Sequence, residues 1–144
     1  MTRHLFVVDT NVIVSGLIVA DAISPPARIL DAMLDGDLLY LMSSDLLAEY
    51  SAGLRRPRIA RLHGRADDEL DRLLTELTAN AVWRHPSSGP PAPESGGDHL
   101  WALLSSWPGS RLVTGDRLLL ENPPATAVVA TPRQVVDSFL ATRE

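Results

Sequence analysis

Five short strand-like runs punctuate this chain, and helical patterns or turn-rich segments separate them. That alternation constrains the fold more than any other feature. Parallel strands cannot be joined by tight turns and need crossover connections, usually helical, whereas antiparallel strands can follow one another directly. Leu5–Val8 is a β-branched and aromatic run that ends on Asp9. Ser24 and Pro25 then read as an N-cap and first helical residue, Ile29, Leu30, Met33 and Leu34 recur at helical spacing, and Gly36 closes the helix. Leu38–Met42 is the second strand. Ser43 or Ser44 opens a helix carrying Leu46, Leu47, Tyr50 and Leu54, which Pro57 ends or kinks. Residues 67–79 repeat the helical pattern with Leu70, Leu73, Leu74 and Leu77 behind an acidic first turn, and "AVWRH" is strand-like. A helix from about Asp98 to Trp107 stops at Pro108 and Gly109 and leads into the strand of "RLVTGD". "TAVVA" is the last strand, and Thr131, Pro132 and Gln134 form a capping box for a terminal helix. The expectation is an α/β fold with a mainly parallel sheet and helices on both faces. No internal repeat is present.

The 144 residues suit one domain spanning 1–144, with a core but no length for a second. Residues 86–97, "PSSGPPAPESGG", read as a surface loop rather than a linker. No stretch reaches the ~20 apolar residues of a membrane span, and the run before Asp9 is too short for a secretory signal, so a cytoplasmic location without membrane contact is expected. Cysteine is absent, which removes thiolate metal sites and thiol nucleophiles.

In open parallel sheets ligands collect beyond the carboxyl ends of the strands, where Asp9 and Asp116 both fall. Glu49 lies on the helix after the second strand, about 60° around from Leu46, on the flank of the apolar stripe. Asp98 begins the helix leading to the Asp116 strand, so four acids can converge. Each also has a local reading: Asp9 as an Asx-turn or helix cap, Asp116 as a turn residue, Asp98 as an N-cap and Glu49 as a solvated helix residue.

Taken together, "VVDTNVIVSGL", "LLAEYSAGLRRPRI", "DHLWALL" and "RLVTGD" resemble the PIN-domain family of metal-dependent nucleases, especially VapC-type toxins, over almost the whole chain. The resemblance implies that Asp9, Glu49, Asp98 and Asp116 form an acidic pocket holding Mg²⁺ or Mn²⁺, shaped by Asn11 and Thr114. It implies RNA as substrate, a small antitoxin as partner and a homodimer. One departure stands out: Leu118 occupies the position where many relatives carry another acid, which bears on a second metal ion. The residue types suit the chemistry, since Mg²⁺ prefers carboxylate and water oxygens and needs neither cysteine nor histidine. Clustered carboxylates repel one another unless a cation compensates. The expected reaction is metal-assisted hydrolysis of a phosphodiester by in-line attack of water.

The net charge of −5 argues against coating nucleic acid by charge alone. All 13 basic residues are arginine, with five between Arg55 and Arg65. Arg55, Arg56 and Arg117 are the candidates for phosphate contacts; a solvated helix face with ion pairs is the competing reading. The lack of lysine sets aside phosphoaspartate enzymes and receiver domains, whose usual forms place one near the phosphate, and P-loop NTPases. The remaining alternative is a weak or inactive PIN-like module that binds RNA or protein without cleavage.

Overall fold

The computed structural model describes residues 4–19, 21–86, 98–123 and 127–140. In chain order these form β1 (Leu5–Val8), α1 (Thr10–Ile18), α2 (Pro25–Asp35), β2 (Leu39–Met42), α3 (Ser44–Arg55), α4 (Pro57–His63), α5 (Asp67–Ala79), β3 (Val82–Trp83), α6 (Asp98–Ser105), β4 (Arg111–Val113), α7 (Arg117–Glu121), β5 (Val128–Ala130) and α8 (Pro132–Val135), with a π-helical continuation over Val136–Leu140. The strands make one sheet in the order β3-β2-β1-β4-β5, every pair parallel.

The α/β expectation is met, and strand order explains why the first run is so apolar. β1 is central, in register with β2 through Leu5 and Leu39 and with β4 through Val8 and Val113, and all four of its residues are buried. A strand covered on both faces has no solvent side, so it reads as a continuous apolar run. From β1 the chain steps outward to β2 and β3, then returns to β1's other side for β4 and β5. Because such crossovers are right-handed, the reversal sends the crossover helices of the two halves to opposite faces, while α8 and its continuation, after β5, pack against α2. It also makes the β1/β4 boundary a topological switch point, the place where open α/β sheets leave a crevice.

Several helix ends follow the sequence signals. Ser24 accepts from the Ala27 amide and Gly36 closes α2 with φ 80°, a left-handed conformation in which glycine avoids a Cβ clash. Ser43 rather than Ser44 caps α3, and the Thr131–Gln134 capping box is formed. Three helices lie beyond the expected set. Residues 10–18 are helical, with Asp9 as the N-cap. Pro57 separates α3 from a short helix of its own, α4, where Pro is the first residue and its missing N–H costs nothing. Residues 117–121 form α7, capped by Asp116. The α6 helix ends at Ser105, short of Trp107. The proline- and glycine-rich stretch, apart from Pro86, lies outside the described residues. No helix of the described residues is long and apolar enough to cross a membrane.

The core packs both sheet faces and includes two buried tyrosines whose hydroxyls are satisfied by backbone: Tyr40 donates to Leu77 O at 2.6 Å and Tyr50 to Val8 O at 2.5 Å. The second bond ties α3 to the last residue of β1. Tyr50→Phe would leave that carbonyl orphaned in the core, and a destabilisation of about 1–2 kcal/mol is expected by denaturant unfolding. Unchanged stability would mean that the Val8 carbonyl finds another donor.

Candidate metal centre

Asp9 follows directly on the last residue of β1, yet its backbone still belongs to the sheet. Its N–H donates to Val113 O at 2.9 Å, extending the β1–β4 ladder by one rung, and its own carbonyl accepts from the Val12 amide at 3.0 Å to begin α1. Fixed at both ends, the residue is only 8% exposed. Its carboxylate receives three donors. The Thr10 amide reaches Oδ1 at 2.8 Å, while the Thr114 hydroxyl at 2.7 Å and the Asn11 side-chain amide at 3.2 Å reach Oδ2. The turn reading and the site reading of Asp9 are therefore not rivals, because one side chain caps α1 and faces the switch point.

Thr114 carries the arrangement on. Its hydroxyl accepts from the Asp116 amide at 3.0 Å while donating to Asp9, and the Gly115 amide donates to Asn11 Oδ1 at 3.4 Å. Thr114 is fully buried. Asn11 and Thr114 therefore brace Asp9 and the turn before Asp116. Asp116 itself caps α7, accepting from the Leu118 amide at 2.9 Å. Leu118, the residue standing where another acid was expected, is 44% exposed.

Glu49 reaches the same region from α3. Thr10 Oγ1 donates to its Oε1 at 2.8 Å, so Thr10 contacts Asp9 through its amide and Glu49 through its hydroxyl. Glu49 Oε2 meets His99 Nε2 at 2.5 Å. Asp98, exposed at the start of α6, is the neighbour of that histidine. Among the described residues, no three acidic or histidine side chains stand close enough together to form a ready metal cage.

Electrostatics single out Asp9. Burial pushes its carboxyl above the ordinary 3.8, the Thr114 and Thr10 hydrogen bonds pull it down, and the charges of Glu49 and Asp116 push it up again. The net upward shift means that ionised Asp9 is undercompensated by the protein alone. An all-oxygen donor set with excess negative charge fits a hard divalent cation. Its stability consequence has a definite sign. The unfolded chain releases the Asp9 proton near 3.8, while the fold holds it to higher pH. Over that interval the contribution of Asp9 to metal-free stability declines as pH rises. Melting curves of metal-free wild type and Asp9→Asn from about pH 3 to about pH 8 should show wild type losing ground to the variant through this interval and then keeping a constant difference from it. A flat difference would remove burial as the cause.

The arginines divide. Arg55 is committed within the protein, its guanidinium bonded to Asp71 at 2.6 Å, Asp67 at 3.5 Å and Ser51 at 2.7 Å, which ties α3 to α5. Arg56 is exposed at the joint between α3 and α4. Arg117 is exposed on α7 beside Glu121 at 3.7 Å. His63 is bound to the Leu54 carbonyl at 2.8 Å, a structural contact. His99 follows Asp98 in the chain, which is a sequence signal for a place near the pocket; its partnership with Glu49 had none.

A family model described as PIN domain matches residues 6–108, more than half of the chain. The match includes Asp9, Asn11, Glu49 and Asp98 and ends before Thr114 and Asp116. No significant match was found among curated proteins or among solved structures.

Proposed function

Since this chain belongs to the PIN-domain family, whose members are generally metal-dependent nucleases, we propose that it is a Mg²⁺- or Mn²⁺-dependent endoribonuclease acting at the Asp9 site. The observation that carries the reading is Asp9 itself. It is a buried carboxylate at the end of the central strand, raised by burial and further by the charges of Glu49 and Asp116. A structural aspartate has no need of two further acids bearing on it; a cation ligand gains from them.

In this reading Asp9, Glu49, Asp98 and Asp116 would hold the cation. When bound, it would supply charge to activate water and to stabilise the negative charge developing on the phosphate and the leaving oxygen. The protein's share is orientation. Thr114 and Asn11 fix Asp9, and Thr10 holds Glu49 to the start of α1. Asn11 and Thr114 thus act on substrate through Asp9. With Arg55 engaged by Asp67 and Asp71, the phosphate contacts fall to Arg56 and Arg117. Two divalent ions would change the net charge of −5 to roughly −1, easing the approach of a polyanion. The same negative pocket suits a small antitoxin that closes it with basic side chains, which would make this chain the toxin of a toxin–antitoxin pair in the cytoplasm, acting as a homodimer.

One observation favours a second reading, an RNA- or protein-binding module without cleavage: Leu118 leaves the last acidic position apolar. Incubation of purified protein with structured and unstructured RNAs, in Mg²⁺, Mn²⁺ or EDTA, tests the choice. Cleavage that requires metal and disappears in Asp9→Asn is the expected result. Equal cleavage by both proteins would sink the assignment, and RNA binding without cleavage under any condition would favour the second reading.

A further inference from the structure

The Glu49 carboxylate is held from two sides by residues far from it in the chain. Thr10 Oγ1 donates to Oε1 at 2.8 Å, and His99 Nε2 lies 2.5 Å from Oε2. An ionised carboxylate can only accept, so the proton in the second contact belongs to Nε2. In the neutral ring that leaves Nδ1 as an acceptor, and Nδ1 is buried with no hydrogen-bond partner. The His99 side chain is 16% exposed, so its one polar engagement among the described residues is with Glu49. Packing alone gives no reason for this residue type, since an apolar side chain would fill the space without an orphaned nitrogen. The imidazole is explained by what it does for Glu49.

We propose that His99 is a positioning residue for the metal pocket. Its Nε2–H fixes one oxygen of Glu49 while Thr10 fixes the other, so that the carboxylate is already oriented when a divalent cation arrives. The proposal rests on the reading of Asp9, Glu49, Asp98 and Asp116 as cation ligands. Each carboxylate oxygen that accepts one hydrogen bond still has a lone pair free for an ion or its water. A partly exposed glutamate on a helix flank has several rotatable bonds, and ordering it only at the moment of binding would weaken the site. Outer hydrogen bonds to ligating carboxylates have this orienting effect, and their loss commonly lowers metal affinity about 10–100-fold.

Titration of the full chain with Mn²⁺, following the electron-paramagnetic-resonance signal of the free ion, reads affinity without reference to cleavage. His99→Leu is expected to weaken Mn²⁺ binding about tenfold or more, and His99→Gln, whose amide can donate to Glu49, to restore it to within about threefold of wild type. Thermal melts check that both variants fold; if His99→Leu does not, His99→Asn, polar but shorter, takes its place. Asp9→Asn and Glu49→Gln are run beside them. If those two lose Mn²⁺ while His99→Leu binds like wild type or more tightly, the role of His99 is overturned and the pocket stands. If wild type binds no Mn²⁺, or if Asp9→Asn and Glu49→Gln leave binding unchanged, the pocket reading fails and the role of His99 fails with it.

Discussion

Asp9→Asn is expected to lower metal-dependent RNA cleavage by about a thousandfold or more, the largest effect of any single side chain in the site. The substitution keeps size and shape but changes two things at once. It removes the buried charge, and it replaces one carboxylate oxygen with an amide that donates. In the native site Oδ2 accepts from both Thr114 and Asn11. An asparagine can satisfy the Thr10 amide or those two donors, but not all three, so the brace loosens along with the loss of charge. The rates of Asp9→Asn, Glu49→Gln and Asp116→Asn, measured at saturating Mn²⁺ with melting temperatures as controls, give the comparison. Glu49→Gln should fall between Asp9→Asn and wild type, because Glu49 is reached through side chains while Asp9 is fixed by the sheet. Activity of Asp9→Asn within about tenfold of wild type would remove Asp9 from the centre of the chemistry.

Gly16→Ala is expected to be the most damaging small substitution outside the site. Gly16 lies within α1, where alanine would ordinarily gain about 1 kcal/mol over glycine. Here an added Cβ would stand 2.7 Å from the Pro26 carbonyl oxygen, 3.1 Å from its carbon and 3.3 Å from Leu30 Cβ. Two of those three atoms are backbone of α2 and cannot rotate away, so α1 and α2 must separate. Overpacking of this kind costs about 1–3 kcal/mol and sometimes more, enough to reverse the propensity gain. A net loss of about 2 kcal/mol or more, or a fall of about 6–10 °C in melting temperature, is the expected outcome. Gly115→Ala is the control, since nothing lies within 4 Å of the Cβ it would add. Its melting temperature should stay within about 2 °C of wild type. A Gly16→Ala variant as stable as wild type would mean that the two helices have room to part.

Of the elements near the site, α1 was the least legible. Val12, Ile13 and Val14 are β-branched and Gly16 follows, so local propensity speaks weakly for a helix there. The helix exists because Asp9 caps it and because Gly16 lets it lie against α2. Arg55 illustrates a limit of another kind. Its place in an arginine-rich stretch leaves phosphate contact and ion pairing both open, and Asp67 and Asp71, on the next long helix, pair with it. A charge run shows how much charge is present; which partner it meets depends on the packing of α3 against α5.

What the sequence determined by itself is the alternation of five strands with the longer helices α2, α3, α5 and α6, and several of the residues that cap or stop them. Apolar runs, caps at Ser24 and Thr131, and stops at Gly36 and Pro57 act over a few residues, so they are readable without knowledge of distant neighbours. The interruption at Asp9 was equally plain. Only the tertiary structure decided what that aspartate meets. Sheet order sets β4 beside β1 and brings Thr114 onto a carboxylate 105 positions away, while the packing of α3 and α6 brings His99 to Glu49 across 50 positions. Pairing of this range depends on which buried surfaces close together, and no local pattern carries that choice.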